Sequence, residues 1–252
     1  MIIHFIRLFF LSFWVLVGFL FLIAAATVNS TYLRNQVIRF WSRILLKLVG
    51  VRTKYFGLEN IPKSPFLLVS NHISWIDIFV ILAHHPVSFI AKEDISGWPI
   101  LGSLVRLSGT LFIDRKSKKT LKVVFQKIAR NPDNSKRKSY AFFPEGKTSV
   151  GDTIMPFYSG LFSLAVEKPR YQILPVVIQY REEGDYSDAC AYVDDVSFFQ
   201  SLKQIFETKN LEARVTILSP ERLGLVSSDS PSTLRKIISR NIRTKMLGVL
   251  SQ

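Results

Sequence analysis

Cysteine and acidic residues are the scarce components of this chain. Cys190 is the only cysteine in 252 residues, which excludes an intrachain disulfide framework and a thiolate zinc site. Asp and Glu number 19 against 33 Lys and Arg, leaving a formal charge of +14. A surface of this charge favours an anionic partner, either a nucleic acid or an anionic lipid surface.

Two common catalytic motifs are also missing. The sequence contains no G-x-S-x-G, which would suit a serine hydrolase, and no HExxH, which would suit a zinc protease. His84 and His85 are adjacent and therefore lack the spacing of paired metal ligands on a helix. We therefore expect neither a metal nor a cofactor.

One long apolar run is present near the N-terminus. LFFLSFWVLVGFLFLIAAATV (8–28) carries no charge for 21 residues, and at about 1.5 Å per residue it matches a hydrocarbon layer of roughly 30 Å. The run predicts a retained membrane helix. A cleaved signal peptide is the alternative, because AAA resembles a cleavage site, but its apolar region usually has only about 7 to 15 residues. Basic residues concentrate after the run, which places the main domain in the cytoplasm, at the inner membrane if the cell is bacterial.

The next segment, VIRFWSRILLKLVGV (37–51), has apolar and basic residues on separate faces of a helix. We expect this helix to lie in the membrane interface, with its cations on anionic head groups. Packing against the domain core is the alternative, and the two N-terminal helices could also form a hairpin that enters one leaflet. The predicted organisation is an N-terminal anchor and interfacial helix (1–54) followed by a catalytic domain (55–252).

Beyond residue 55 the pattern is that of an α/β domain with a mostly parallel sheet flanked by helices. A helix is predicted over LKVVFQKIAR (121–130), a polar loop over 131–139, and a final helix that begins after Ser230. The predicted strands are FLLVS (66–70), VSFIA (87–91), TLFIDR (110–115), SYAFFP (139–144), ILPVVIQY (173–180) and ARVTIL (213–218).

A histidine and an aspartate lie five residues apart in SNHISWIDIF (70–79). FLLVS ends a strand and Ser74 is a possible N-cap of the next helix, so His72 lies on the turn and can fold back against Asp77. A carboxylate on one imidazole nitrogen fixes the tautomer and leaves the other nitrogen free to take a proton from a hydroxyl. A structural hydrogen bond at a helix start is the alternative for an isolated match.

Two further strand ends carry polar residues. FFPEGKTS (142–149) places Glu145 and Gly146 after one strand, and GTLFIDR (109–115) places Arg115 at the end of another. Open α/β sheets bind ligands at the carboxyl ends of their parallel strands. These positions therefore predict a common site with His72.

Together with NHISWID and LPVVI (174–178), these blocks resemble, in their order, the lysophosphatidic acid acyltransferase family of membrane glycerolipid acyltransferases. AKEDISGWPILG (91–102) is similar to another stretch of that family. The resemblance covers roughly residues 55 to 180.

This resemblance implies an enzyme that moves an acyl group from acyl-CoA or acyl carrier protein to the sn-2 hydroxyl of 1-acyl-sn-glycerol-3-phosphate, giving phosphatidic acid. It implies that His72 and Asp77 activate the hydroxyl for direct attack on the thioester, without an acyl-enzyme. It also implies that GTLFIDR and FFPEGKTS, the second and third blocks along the chain, hold the glycerol phosphate. The residues so implicated are Arg115, Glu145, Gly146 and Lys147.

The third block departs from the family pattern. FPEGKTS stands where the family commonly has FPEGTRS, so Thr148 occupies the position of an arginine. Lys147 can supply a charge, but it lacks the two-pronged guanidinium. Related acyltransferases with such a block accept lysolipids without glycerol phosphate, including lyso-ornithine lipids, and this remains the alternative acceptor.

A basic membrane-anchored binding protein without catalysis is the alternative of another class. Nucleic-acid binding would account for the charge, but it leaves both the apolar N-terminus and the Glu145 block without a purpose. The expected partners are therefore a lysophospholipid acceptor, an acyl thioester donor and an anionic membrane surface, and no nucleic acid.

Overall fold

The computed structural model describes residues 2–27, 30–92, 110–113, 138–168, 171–222 and 230–250. Several predictions lie outside these ranges: Arg115, the helix at 121–130, and most of both the AKEDISGWPILG stretch and the 131–139 loop. The remaining predictions can be compared with the structure.

The described residues include one sheet in the order β1-β8-β6-β2-β5-β3-β4, with β7 paired to β6 as a short hairpin. The strands β6, β2, β5, β3 and β4 are mutually parallel, whereas β8 runs antiparallel to β6 and β1 runs parallel to β8. This confirms the predicted α/β fold with a mostly parallel sheet. The strands are β1 (Arg52–Phe56), β2 (Phe66–Ser70), β3 (Ser88–Lys92), β4 (Leu111–Ile113), β5 (Tyr140–Phe142), β6 (Gln172–Glu182), β7 (Asp185–Tyr186) and β8 (Leu211–Ile217).

Helices cover both faces of the sheet. The central strands are mostly apolar because both of their faces are buried; all five residues of β2 are buried, for example, and four of them are apolar. One face packs against α2, α3 and α5, and the other against α4 and α6. The helices are α1 (Ile2–Thr27), α2 (Thr31–Val49), α3 (Asp77–Leu82), α4 (Ser163–Glu167), α5 (Phe198–Glu207) and α6 (Pro231–Leu250), with 3-10 turns at Leu58–Asn60 and Ser159–Phe162.

The two N-terminal helices pack against each other. The indole Nε1 of Trp14 donates to the carbonyl of Trp41 (3.1 Å), and the Trp41 indole donates back to the carbonyl of Trp14 (2.9 Å). Gly18 permits this approach, because a Cβ there would lie 2.1 Å from Trp41 Nε1. Among the described residues, none of the helices combines the length and the apolarity needed to cross a membrane. The predicted membrane-spanning helix is thus not confirmed.

The apolar face of α2 has a different partner from the one predicted. Trp41, Leu45 and Leu46 are buried in the core cluster of the domain, and Arg43 Nε donates to the carbonyl of Ala83 at the end of α3 (2.8 Å). The assignment of this face to the acyl region is therefore wrong, since the sheet domain covers most of it. A membrane contact by the rest of α2 stays a prediction.

The predicted boundary between residues 54 and 55 falls inside a strand. β1 begins at Arg52 and pairs with β8 along its whole length, from Arg52 opposite Glu212 to Phe56 opposite Thr216. The sheet therefore begins with a strand that the pattern did not predict, since the first predicted strand was FLLVS (66–70). The division into an anchor and a catalytic domain stays a prediction.

Candidate active site

The site lies at the carboxyl ends of two adjacent parallel strands. β2 ends at Ser70 and leads into the turn that carries His72, while β5 ends at Phe142 and leads into the turn that carries Glu145. The Asn71 side chain holds the first turn to β6, because its amide accepts from the Ile178 N–H (2.8 Å) and donates to the Ile178 carbonyl (2.9 Å). A side chain thus continues the strand pairing past the end of β2.

His72 and Asp77 meet as the sequence predicts. His72 Nδ1 lies 2.8 Å from Asp77 Oδ2. That oxygen also accepts from the backbone N–H groups of Ile73 (2.7 Å) and Ser74 (2.9 Å), so the carboxylate lies across the turn. An ionised carboxylate only accepts hydrogen bonds, so the proton of this contact lies on Nδ1, and in the neutral imidazole Nε2 then keeps its lone pair.

The predicted N-cap role of Ser74 is wrong. α3 begins at Asp77, its N-cap is Ile76, and the buried Ser74 Oγ has no hydrogen-bond partner in the described part of the chain. The Asp77 carboxylate satisfies the turn N–H groups instead. One side chain therefore both orders the turn and orients the imidazole.

The His72 ring is held on one face and is partly exposed. It stacks on Phe143 with ring centroids 3.9 Å apart and planes inclined by 7°, and its side chain is 19% exposed. Within the described ranges, Nε2 makes no hydrogen bond. The ring is thus fixed by Asp77 and Phe143, while Nε2 remains available to a hydroxyl.

Glu145 supports the first turn from the second. Its Oε1 accepts from the His72 N–H and its Oε2 from the Met155 N–H, both at 2.7 Å. Burial raises the pKa of Glu145 to about 7, and the nearby Asp77 adds to this, whereas the two N–H groups and Arg243 oppose it. Both carboxyl oxygens therefore bond to backbone, and the predicted contact with glycerol phosphate stays a prediction.

The remaining third-block residues differ in exposure and in contacts. Gly146 has φ of 77°, a left-handed conformation that glycine adopts readily and that lets the chain turn after Glu145. The Lys147 side chain is exposed. The Thr148 hydroxyl donates to the carbonyl of Tyr192, whose N–H in turn bonds the carbonyl of Ile73 (2.9 Å). Thr148 thus connects the segment around Tyr192 to the turn that carries His72.

One residue of the site was not singled out from the sequence. The hydroxyl of Tyr180, on β6, donates to Asp77 Oδ1 at 2.6 Å. The one sequence signal was a tyrosine ending the apolar run ILPVVIQY, and that signal does not identify its partner. The structure therefore gathers His72, Asp77, Glu145 and Tyr180, while Arg115 lies outside the described residues.

The described residues contain neither a cluster of metal ligands nor a reactive thiol. No group of three or more His, Cys, Asp or Glu in the described ranges could hold a metal ion. Cys190 is fully buried, and burial raises the pKa of its thiol well above the ordinary range, with the Asp77 charge adding to the effect. Cys190 therefore packs as a small apolar side chain.

Comparison with known proteins identifies the domain. The sequence model of the Acyltransferase family matches residues 52–179, which is 128 of 252 residues. The 1-acyl-sn-glycerol-3-phosphate acyltransferase of Neisseria meningitidis serogroup B is 35% identical over 156 residues, covering 61% of this chain and 60% of the relative. The lyso-ornithine lipid O-acyltransferase of Pseudomonas aeruginosa is 28% identical over 192 residues, covering 76% and 72%.

The fold also has a solved counterpart. The crystal structure of the 1-acyl-sn-glycerophosphate (LPA) acyltransferase PlsC from Thermotoga maritima superposes with a TM-score of 0.72 at 20% identity, covering 100% of this chain and 96% of that one. At this identity the likeness concerns the fold. The match to the Neisseria relative spans only about three fifths of that protein's length.

Proposed function

Because this chain belongs to the acyltransferase family, we propose that it transfers a fatty acyl group to the sn-2 hydroxyl of 1-acyl-sn-glycerol-3-phosphate, giving phosphatidic acid. The donor is the thioester of acyl-CoA or acyl carrier protein. The observation that carries the proposal is the 2.8 Å contact between His72 Nδ1 and Asp77 Oδ2, with Nε2 facing away from the carboxylate. No further cofactor takes part.

His72 acts as the general base in this reaction. Nε2 takes the proton of the acceptor hydroxyl as its oxygen attacks the thioester carbonyl carbon, and the developing imidazolium is stabilised by Asp77. The C–S bond then breaks, and the same proton passes from Nε2 to the leaving thiolate. One ester is formed, one thioester is lost and His72 returns to its starting state, so an acyl-enzyme is unnecessary.

The acceptor phosphate is held by cations after β4 and β5. Arg115 carries a guanidinium, whose forked shape matches a phosphate, and the exposed Lys147 adds a point charge. Glu145 contributes by bonding the backbone of His72 and Met155, which keeps the two turns in register beside the acceptor. Gly146 supplies the sharp turn between Glu145 and Lys147.

A phosphate-free lysolipid such as lyso-ornithine lipid is the second candidate acceptor. The observation in its favour is Thr148, which stands at the family's arginine position and whose hydroxyl is bonded to Tyr192. Because this bond uses the hydroxyl proton, the Thr148 side chain has no second proton to donate to a phosphate. The similarity to the Pseudomonas aeruginosa lyso-ornithine lipid O-acyltransferase agrees with this acceptor.

One face of α1 supports a location at the cytoplasmic side of a membrane. Phe9, Phe13, Leu16 and Leu20 recur at helical spacing and are each more than half exposed. Apolar side chains presented together in this way are typical of a membrane contact. We place this face in the bilayer, with Arg7 turned toward the domain, where its guanidinium bonds the carbonyl of Phe206 (3.3 Å).

An acceptor panel tests the proposed reaction. Membranes containing the chain are given a labelled acyl donor, as acyl-CoA or acyl carrier protein, and either lysophosphatidic acid or lyso-ornithine lipid. Labelled phosphatidic acid is the expected product. Labelled ornithine lipid alone would establish the second candidate, and no product from either acceptor would refute both.

Membrane binding is tested on vesicles. Phe13→Asp should release much of the chain from vesicles of anionic phospholipid, because a charge would enter the apolar contact. Phe56→Asp is the matched control, since Phe56 is an exposed phenylalanine on β1 and should not affect binding. Wild-type chain should stay bound in high salt, since apolar burial is not screened. Equal retention of both variants would contradict the placement of α1.

A further inference from the structure

The strand β6 extends past the end of its neighbour and reaches over the catalytic turn. β2 ends at Ser70, which pairs with Val176, while β6 continues to Glu182. Val176, Ile178 and Tyr180 alternate along β6 and so point to one face of the sheet. This is the face on which α3 packs, and α3 begins at Asp77. Tyr180 is thereby brought to the catalytic carboxylate.

The hydrogen bond between Tyr180 and Asp77 is short and buried. The phenol oxygen lies 2.6 Å from Asp77 Oδ1, with Tyr180 1% exposed and Asp77 fully buried. Burial, with the Asp77 charge adding to it, raises the pKa of Tyr180 well above the ordinary range. The phenol therefore remains protonated and donates, and the carboxylate accepts.

The two oxygens of Asp77 are held by separate sets of donors. Oδ2 accepts from His72 Nδ1 and from the N–H groups of Ile73 and Ser74, whereas the Tyr180 hydroxyl is the described donor to Oδ1. Rotation of the carboxylate about its Cβ–Cγ bond would break both sets together. Without the phenol, Oδ1 would be a buried charged atom lacking its donor, and the carboxylate could turn to seek another.

We propose that Tyr180 is a positioning residue of the reaction, whose hydroxyl fixes the Asp77 carboxylate so that Oδ2 faces His72 Nδ1. This inference rests on the proposed acyl transfer and adds to it a third member that lies outside the His72–Asp77 block. Tyr180 acts through Asp77 and touches neither substrate nor leaving group. Its loss should slow catalysis without weakening substrate binding.

The test compares Tyr180→Phe with Tyr55→Phe in the full chain. Tyr55 is the matched control because its hydroxyl donates to the backbone carbonyl of Val80 (2.8 Å), on the same helix as Asp77, and not to the carboxylate. Each substitution removes one phenol hydrogen bond to α3. Thermal midpoint, kcat and the KM of both substrates are measured for each variant.

Tyr180→Phe should lower kcat by about 10- to 100-fold, the range expected when a hydrogen bond to a charged group is lost. The two KM values should stay unchanged, and Tyr55→Phe should retain the wild-type kcat. In a His72→Ala background, Tyr180→Phe should change the residual rate by less than about two-fold, because no imidazole remains to be oriented.

Three results would overturn the role of Tyr180. They are a kcat equal to that of Tyr55→Phe, a rise in KM that accounts for the loss, and the same fractional loss with and without His72. The His72→Ala comparison also covers a poorly folding variant, since misfolding would lower both rates alike. If wild type transfers no acyl group to any lysolipid, the proposed function fails and the role of Tyr180 fails with it.

Discussion

The turns after β2 and β5 each contribute a buried carboxylate, but the surroundings of the two differ. Asp77 accepts four hydrogen bonds in the described part of the chain, from one imidazole, two backbone N–H groups and one phenol. Glu145 accepts two, both from backbone. The four donors hold the buried Asp77 charge in one orientation, as an orienting carboxylate requires. The two backbone donors of Glu145 instead connect the turn that carries His72 to Met155.

His72 and Lys147, on the first and second turn respectively, also differ in how firmly they are held. His72 is held through its ring, its N–H and its carbonyl, which accepts from the Ser149 N–H (2.9 Å). Lys147 instead projects from the second turn as an exposed side chain. The half of the site that carries His72 is thus tightly constrained, while the half proposed to recognise the head group is more exposed.

The largest effect should follow from neutralising the better-held carboxylate. Asp77→Asn should lower kcat by about 10³- to 10⁴-fold, because an amide cannot accept from all four donors and favours the wrong imidazole tautomer. Steady-state kinetics with labelled acyl donor measures the loss. Asp185→Asn, at the exposed hairpin strand β7, should behave as wild type. A loss of less than about ten-fold in a folded Asp77→Asn protein would remove the contrast between the two turns.

The Glu145 carboxylate is less well stabilised than that of Asp77, and this should make the free energy of unfolding depend on pH. The pKa of Glu145 is raised from 4.5 to about 7, so between these values the native state keeps a proton that the unfolded chain has lost. Stability therefore decreases as pH rises through this window and is level above it. Relative to the Glu145→Gln variant, the free energy of unfolding of wild type should fall by at most about 3 kcal/mol between pH 5 and pH 8. Denaturant unfolding at the two pH values measures the difference.

Glu212→Gln is the matched control for this experiment. The hydrogen bond from Arg214 lowers the pKa of Glu212, so its contribution is fully present above pH 5 and is lost only in more acidic solution. Its stability relative to wild type should not change between pH 5 and pH 8. An equal change for both variants would show that Glu145 is not the group responsible.

Lys147 should have a smaller effect, confined to one substrate. If the acceptor carries a phosphate, Lys147→Ala should raise the acceptor KM by about 10-fold, as expected for a charge-assisted contact, and leave the donor KM unchanged. Initial rates at varied acceptor and donor concentrations separate the two. An unchanged acceptor KM would point to the phosphate-free acceptor.

The smallest effect should come from Thr148. Thr148→Val removes the hydroxyl bond to Tyr192 with little change in shape, and should cost about 1 kcal/mol of stability in a denaturant titration. Thr148→Arg loses the same bond but restores the family's usual cation. With a phosphate acceptor it should match or exceed Thr148→Val in lysophosphatidic acid use. Weaker use by Thr148→Arg would contradict phosphate recognition at this position.

The sequence was sufficient where local pattern decides structure. The apolar runs predicted six strands, and the spacing in SNHISWIDIF predicted the His72–Asp77 contact, because both follow from residues close in the chain. β1 was missed because RTKYF is polar and alternates in burial at the edge of the sheet. The bonds from the N–H groups of Ile73 and Ser74 to the Asp77 carboxylate were also missed, because Ser74 was the predicted N-cap and its hydroxyl has no partner among the described residues.

Long-range register accounts for the other differences. Tyr180 contacts Asp77 because β6 continues past the end of β2. The Thr148 hydroxyl bonds the carbonyl of Tyr192, which is 44 residues away in the chain. Neither pairing has a local signal. Similarly, the amphipathic pattern of α2 identified an apolar face but not the domain that covers it. What a sequence pattern leaves open in this chain is therefore mainly which distant group completes each contact.

The central claim is that His72 takes the proton of the acceptor hydroxyl, and one rate comparison tests it most directly. Labelled phosphatidic acid formation is followed for wild type, His72→Ala and the control His84→Ala, at matched amounts of folded, membrane-bound protein. We predict that His72→Ala lowers the rate of phosphatidic acid formation by at least the 10²- to 10⁴-fold that a general base contributes, while His84→Ala retains the wild-type rate. Near-normal transfer by folded His72→Ala protein would contradict the account.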